Sequence, residues 1–326
     1  MEIAIEVKEL TKNYGEIIAV NHINFEVRKG EIFGFLGPNG AGKTTTIRML
    51  TGRSRPTTGT ARVLGFNVES EIVKAKKYMG VVPEASNLYD ELSAFDNLLF
   101  MAQLYGIPRN QRKTRVEELL KTFGLYERKD YLFGTFSRGM KRALTIAAAL
   151  MHSPKLLFLD EPTVGLDVVA ARSLHNLIDK LRHQGITIFL TTHYLEEADL
   201  LCDRIAILVK GRIVKIDTPE ALKTIAEEES VIEFSFNRMT SKVVEGLSER
   251  LPELKVVPFA HNRMRIYGGI PAHVFRIVLK YAKERGIEID AVKSIKPSLE
   301  DAFIKITGLS PNIMMIEKEG RRQNVA

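Results

Sequence analysis

Residues 3–36 alternate apolar and polar positions in short runs, AIEV, INFEV and EIFGFLG, broken at Asn13-Tyr14-Gly15 and Arg28-Lys29-Gly30. A period of two with turn residues between runs predicts antiparallel strands, ending in a buried apolar strand. From residue 84 to 151 the pattern becomes helical. AFDNLLFMAQLYG follows Ser93, a capping residue, with Asp96 at the position of a capping-box acid. QRKTRVEELLKTFG puts Val116, Leu119, Leu120 and Phe123 on one stripe and stops at Gly124, and ALTIAAALM is a further helix-forming run. Strand then alternates with helix through KLLFLD, VAARSLHNLIDKLRHQG, ITIFLTTH, YLEEADLLC and RIAILVKG. Such alternation implies an α/β layer with a largely parallel sheet.

After Thr218-Pro219-Glu220 the pattern changes again. VIEFSFN, TSKVVEGLSERL, LKVVPFA, MRIYGG, PAHVFRIVLKYAKERG and IEIDAVKSI read β-α-β-β-α-β, the ferredoxin-like arrangement, closed by a last helix in PSLEDAFIKITG. The expected division is therefore an α/β domain over residues 1–218, with a helical part at about 84–151, a small α+β accessory domain over 219–310 and a polar tail over 311–326 that frays. The accessory domain carries no catalytic cluster, so regulation or docking is its expected role. No short-period repeat interrupts the scheme.

Composition narrows the class without choosing a function. With 326 residues, 45% hydrophobic and 27% charged, the chain has the make-up of a globular protein of one large or two smaller domains. The apolar run Ala143–Met151 falls far short of the ~20 residues a membrane-spanning helix requires. MEIAIEVKEL does not resemble a secretory signal, so a cytosolic location is expected, with any membrane contact supplied by a partner. Cys202 is the only cysteine, which excludes an internal disulfide and suits packing as a small hydrophobe. A net charge of +7 permits nucleic acid, anionic lipid or nucleotide as partner and does not decide among them.

The chemistry lies in four segments. GPNGAGKTT (Gly37, Pro38, Asn39, Gly40, Ala41, Gly42, Lys43, Thr44 and Thr45) follows the apolar strand and opens the helix TTTIRML. It matches G-x-x-x-x-G-K-[ST]. Glycines let the backbone wrap phosphates, successive amides and the helix start point positive charge at them, Lys43 adds a formal charge, and the Thr44 hydroxyl can ligate Mg2+. This segment binds a nucleoside triphosphate. KLLFLDEPT ends an apolar strand on Asp160 and Glu161, at the carboxyl edge where open α/β sheets bind ligands. Asp160 would hold Mg2+ opposite Thr44, and Glu161 would accept a proton from an attacking water. His193 ends ITIFLTTH and, on physics alone, is as readily structural as catalytic. SRGMKR, Ser137 to Arg142, starts a helix whose dipole favours an anion. The chain's own phosphates already have a helix start near Lys43, which suggests that the second one serves another chain's nucleotide.

These segments closely resemble those of the ATP-binding cassette (ABC) transporter ATPases, over roughly residues 3–218. The family's signature segment falls on Phe136-Ser137-Arg138-Gly139-Met140, its D-loop on Val164-Gly165-Leu166-Asp167, its switch histidine on His193, and its adenine-stacking aromatic on Tyr14. The resemblance implies a head-to-tail homodimer in which each ATP is held by one chain's phosphate loop and the other's Ser137, Arg138 and Gly139. It also implies Mg2+ as the cofactor of ATP and a separate multi-span permease that holds the chain at the cytoplasmic side of the membrane. Two departures stand out: Arg138 replaces a glycine, and Glu84 in VVPEAS replaces a glutamine that contacts magnesium and the attacking water. FSRGMKR, the VVPE loop and PSLEDAFIKITG look like the drug-resistance exporter branch, similar to the daunorubicin exporter ATPases. The alternative, a cassette ATPase acting on nucleic acid or ribosomes, lacks both the tandem cassettes and the coiled-coil insertion of such proteins, and nucleic acid is not an expected partner. A plain P-loop kinase or GTPase is disfavoured by SRGMKR, by His193 and by the lack of an NKxD-type motif.

Overall fold

The computed structural model describes residues 2–227, 230–260, 262–295 and 297–309, together with residue 314. The tail expected to fray lies outside the described residues apart from residue 314. The chain divides between Thr218 and Pro219 into two compact units.

The first unit contains β1 (Ile3–Tyr14), β2 (Ile17–Arg28), β3 (Ile32–Leu36), α1 (Lys43–Leu50), β4 (Thr58–Val63), β5 (Phe66–Asn67), α2 (Ile72–Lys76) and β6 (Met79–Val82). It continues with α3 (Ala94–Leu104), α4 (Arg109–Thr122), α5 (Arg138–Ala149), β7 (Leu156–Asp160), α6 (Val168–His183), β8 (Thr187–Thr192), α7 (Leu195–Leu201), β9 (Arg204–Val209) and β10 (Arg212–Asp217). One sheet is antiparallel, in the order β2-β1-β4-β5; the other runs β10-β9-β3-β8-β7-β6 and is parallel except for β10. Every residue of β3, β7 and β8 is buried, which is why IFGFL, LLFL and IFL read as continuous apolar stretches rather than alternating ones. Phe25 of β2 packs on Phe33, Phe35 and Phe189, with ring centroids 5.0–6.0 Å apart, so aromatic packing joins the two sheets. Cys202 is buried, and a side chain at Gly34 would meet its Sγ at 2.5 Å, so its thiol fills space beside β3.

Two local features differ from the alternation pattern. The residues from Ile3 to the expected break at Tyr14 form one long strand, whose alternation is interrupted by register shifts between Val7 and Leu10 and between Leu10 and Lys12. Glu9 takes φ +50 at that point, and its N–H donates to Asn24 Oδ1 at 2.9 Å instead of to the ladder. At α3, Ser93 caps as expected, accepting from the Asp96 N–H at 3.0 Å. The Asp96 carboxylate, however, accepts from the Ser93 hydroxyl at 2.6 Å.

The second unit holds α8 (Pro219–Glu227), β11 (Val231–Phe236), α9 (Ser241–Arg250), β12 (Lys255–Ala260), β13 (Arg263–Tyr267), α10 (Pro271–Arg285), β14 (Ile289–Ile295) and α11 (Leu299–Thr307). Its antiparallel sheet has the order β12-β13-β11-β14, the ferredoxin-like topology with the first and third strands at the centre. Phe234, Phe236, Met264 and Ile266 pack against Val243 and Leu247 of α9 and Val274 and Val278 of α10. Ile304 of α11 packs with Val231, Val257 and Tyr267. A complete capping box between Ser298 and Asp301 starts α11.

Candidate functional site: a phosphate loop facing a strand-end carboxylate pair

The loop between β3 and α1 depends on its glycines. Gly40 and Gly42 have φ +81 and +107, where a side chain is strained. A Cβ at Gly42 would lie 2.5 Å from the Ala19 carbonyl, and one at Gly37 would collide with the Leu208 carbonyl. The loop is thus packed against its own scaffold, with the Gly37 N–H donating to the Thr192 carbonyl at 3.3 Å and the Ala41 N–H to the Pro38 carbonyl at 3.1 Å. Lys43 is buried at 5% exposure, its Nζ donating to the carbonyls of Gly37 at 2.5 Å and Pro38 at 3.2 Å.

Parallel pairing of β7 with β8 brings Asp160 beside Thr191, and the loop brings Thr44 over both. Asp160 Oδ1 accepts from Thr191 Oγ1 at 2.6 Å and from Thr44 Oγ1 at 3.2 Å. Burial pushes the Asp160 carboxyl up, helped by the like charges of Glu161 and Glu84 and opposed by the two threonine hydroxyls. Among the described residues no three or more His, Cys, Asp or Glu side chains converge as a metal cage. One hydroxyl and one carboxylate are the few hard oxygens that Mg2+ takes from a protein when phosphates and water fill its other positions, so the donor set fits that ion.

Glu161 is the most constrained residue of the site. It holds φ +47, in the left-handed region that a non-glycine side chain enters only at a cost of about 1–3 kcal/mol. Its N–H donates to the Thr191 carbonyl and hydroxyl, each at 3.1 Å. Its carboxylate is 3.0 Å from Lys43 Nζ through Oε1 and 2.9 Å from His193 Nδ1 through Oε2. Burial acts to raise the Glu161 pKa, but the His193 hydrogen bond and the Lys43 charge outweigh it and hold the group below the ordinary carboxylate value. The neutral His193 tautomer that satisfies this contact carries its hydrogen on Nδ1.

Lys43, Thr44, Asp160, Glu161 and His193 therefore come together. The signature and D-loop residues form a second cluster, packed on one another. Ser137 caps α5, its Oγ accepting from the Met140 N–H at 3.3 Å, and Asp167 caps α6, accepting from the Ala170 N–H at 2.8 Å. A Cβ on Gly139 would press on Ala170 Cβ at 2.8 Å, and Arg138 Nη1 donates to the Gly165 carbonyl at 3.3 Å. Tyr14 stands half-exposed at the end of β1, with Lys12 Nζ 5.0 Å from its ring centroid. Glu84 is exposed in the loop after β6.

Two residues at the site escaped sequence reasoning. Thr191 contacts both carboxylate residues yet reads as an ordinary strand threonine. Arg142 of α5 is buried at 8% exposure, donating to the carbonyls of Asp160 (2.8 Å) and Pro83 (2.5 Å). The available signal was its place on the inward stripe with Thr145, Ile146 and Ala149, an odd position for a charge.

A parallel sheet, a glycine loop opening a helix and a strand-end Asp-Glu pair define a P-loop nucleoside triphosphatase. Residues 20–164 match the family model described as ABC transporter. The linearmycin resistance ATP-binding protein LnrL of Bacillus subtilis (strain 168) is 35% identical over 306 residues, covering 93% of this chain and 98% of its own length. The bacitracin transport ATP-binding protein BcrA of Enterococcus faecalis is 35% identical over 309 residues, covering 94% and 97%. The solved ATP-binding cassette MJ0796, a dimer in a post-hydrolysis state bound to ADP and Pi, aligns with TM-score 0.60 at 25% identity, covering 66% of this chain and 98% of its own. This chain belongs to the ABC transporter family as an ATP-binding subunit, and it is an ATPase.

Proposed function

We propose that two copies of this chain close head-to-tail on two ATP molecules and so drive a separate multi-span permease of the drug-resistance exporter branch. The observation that carries the reading is the doubly held Glu161, 3.0 Å from Lys43 and 2.9 Å from His193 at the mouth of the phosphate loop. In this reading Gly37 to Thr45 cradle the phosphates of one ATP, Tyr14 stacks on its adenine, and the partner copy presents Ser137, Arg138 and Gly139 to the γ-phosphate. Thr44 and Asp160 would hold Mg2+, with Glu84 near by, and the ion would supply charge neutralisation on the phosphate oxygens. Glu161 takes a proton from the water that attacks the γ-phosphorus, the bond to the β-phosphate breaks, and ADP leaves. His193 keeps the Glu161 carboxylate ionised and aimed. ATP closes the pair only through its tighter binding to the closed state.

Among the described residues no helix is long and apolar enough to cross a membrane, so membrane attachment is assigned to the permease. Export is supported by the relatives named for linearmycin resistance and bacitracin transport, which this chain matches over nearly its full length. Residues 84–151 act as the helical subdomain that meets the permease, and residues 219–310 as a regulatory or docking domain. The test is Glu161→Gln in the full chain. It retains ATP binding, loses nearly all hydrolysis and accumulates a dimer with Mg-ATP in analytical ultracentrifugation. Wild-type turnover removes Glu161 from the base role, and a variant that stays monomeric beside its permease removes the head-to-tail pair.

A further inference from the structure

The peptide plane joining Asp160 to Glu161 is gripped from both sides. Its N–H is held by Thr191 on the neighbouring strand. Its carbonyl accepts from Arg142 Nη2 at 2.8 Å, and Arg142 rides on α5, the helix that Ser137 caps. Glu161 sits at φ +47, so this plane stays put only where its surroundings fix it; a rotation would swing the carboxylate off Lys43 and His193.

Arg142 is committed to that task at an energetic cost. Its guanidinium is buried, and Nη1 is spent on the carbonyls of Pro83 at 2.5 Å and Glu84 at 3.4 Å, in the loop after β6. Desolvation lowers its pKa to about 10, while the charges of Asp160, Glu197, Glu84 and Glu161 act to keep it protonated. Glu197 of α7 is itself only 3% exposed, with Oε1 3.2 Å from His175 Nε2 on α6. Arg142 Nε and Glu197 Oε2 are both buried without a hydrogen-bond partner, and the Glu197 charge acts on the guanidinium through space. A methionine or leucine would fill this volume without burying a charge. What the arginine adds is a set of directed bonds joining α5, the Glu84 loop and the end of β7.

We propose that Arg142 is a positioning residue for ATP hydrolysis: its bond to the Asp160 carbonyl couples the placement of the signature helix α5 to the aim of Glu161 in the same chain. This rests on the reading of Glu161 as the base. It extends that reading, because Ser137 at the head of α5 meets the partner's triphosphate, so ATP at one site adjusts the base of the other.

A mutant cycle in the full chain tests it, with kcat and ATP affinity measured for wild type, Arg142→Met, Glu161→Gln and the double variant. Arg142→Met is expected to keep Kd within about threefold while kcat falls about tenfold to a hundredfold, the scale of a small misplacement of a catalytic group. In the Glu161→Gln background the same change should cost less than about twofold, since the group it aims is gone. Arg142→Lys, which keeps the charge but not the fork of donors, should recover part of kcat. A full multiplicative loss in the double variant, or a Kd that weakens as much as kcat falls, overturns the proposal. Should Arg142→Met not fold by circular dichroism, the cycle is run with Arg142→Lys, where wild-type kcat overturns it. Normal turnover by Arg142→Met beside an inactive Glu161→Gln defeats this proposal alone; normal turnover by Glu161→Gln defeats the base reading with it.

Discussion

Replacing Glu161 with glutamine should tighten ATP binding as well as stop turnover. Lys43 Nζ lies 3.0 Å from Glu161 Oε1, and both side chains are nearly buried, at 5% and 7% exposure. A triphosphate seated on the loop must share that ammonium with the carboxylate, whose charge also repels the phosphate oxygens. At an effective dielectric near 20, unit charges this close interact by about 5 kcal/mol. Glutamine can turn a carbonyl oxygen to Lys43, a bond worth about 1.5–3 kcal/mol when the donor is charged. The carbonyls of Gly37 and Pro38 also continue to hold the ammonium. What remains favours ATP by about 2–3.5 kcal/mol, a Kd lower by roughly thirtyfold to a few hundredfold. Calorimetric titration with ATP in EDTA compares the two proteins with hydrolysis blocked in both. Since His193 and Lys43 hold the Glu161 pKa low, Glu161 stays ionised in mildly acidic buffer, and the advantage should persist there. An unchanged or weaker affinity in Glu161→Gln would refute the competition.

Two further outcomes follow from other buried charges. In the second unit, Asp301 is fully buried and accepts from Arg265 Nη1 at 2.9 Å, Tyr267 Oη at 2.6 Å and Ser298 N at 2.7 Å. Asp301→Ala leaves the Tyr267 hydroxyl without its acceptor while Arg265 keeps Glu233 Oε2 at 3.0 Å, and should cost about 1–3 kcal/mol, whereas Asp301→Asn, which keeps an oxygen acceptor, should cost less. Urea unfolding followed by circular dichroism reads both, and a loss no larger than that of Arg250→Ala, on an exposed pair, contradicts the estimate. Glu84→Gln removes one of the charges that raise the Asp160 pKa, so the acid limb of the pH–rate profile should move to lower pH and the Mg2+ dependence should change. Neither moving would show that Glu84 has no part in the site.

The phosphate loop and the Asp160-Glu161 pair were legible because each is contiguous: a few neighbouring residues supply all the donors or acceptors, and flanking strand and helix patterns confirm the setting. The ferredoxin-like order was legible for a similar reason, since each of its helices and strands carries its own period. The stretch from Thr58 to Val82 was not. β4 reads TGTARV, with only Ala61 and Val63 buried, and α2 spans five residues, too few for a helical period to show. Antiparallel pairing with β1, from Ile5 opposite Val63 to Thr11 opposite Thr58, makes β4 a strand, and that pairing is invisible locally.

Arg142 and Thr191 show the same limit at the site itself. Each acts on a peptide or carboxylate supplied by a different strand, across 18 and 31 residues of sequence. Their donors have meaning only once β7 and β8 lie side by side and α5 is laid across the end of β7. A buried charge on an otherwise apolar helix stripe was still a usable clue, because a guanidinium is carried inside only where carbonyls and carboxylates meet it. Followed inward from Arg142, that clue leads to the Asp160 carbonyl, and so to the residue whose strained backbone aims the carboxylate at the phosphate loop.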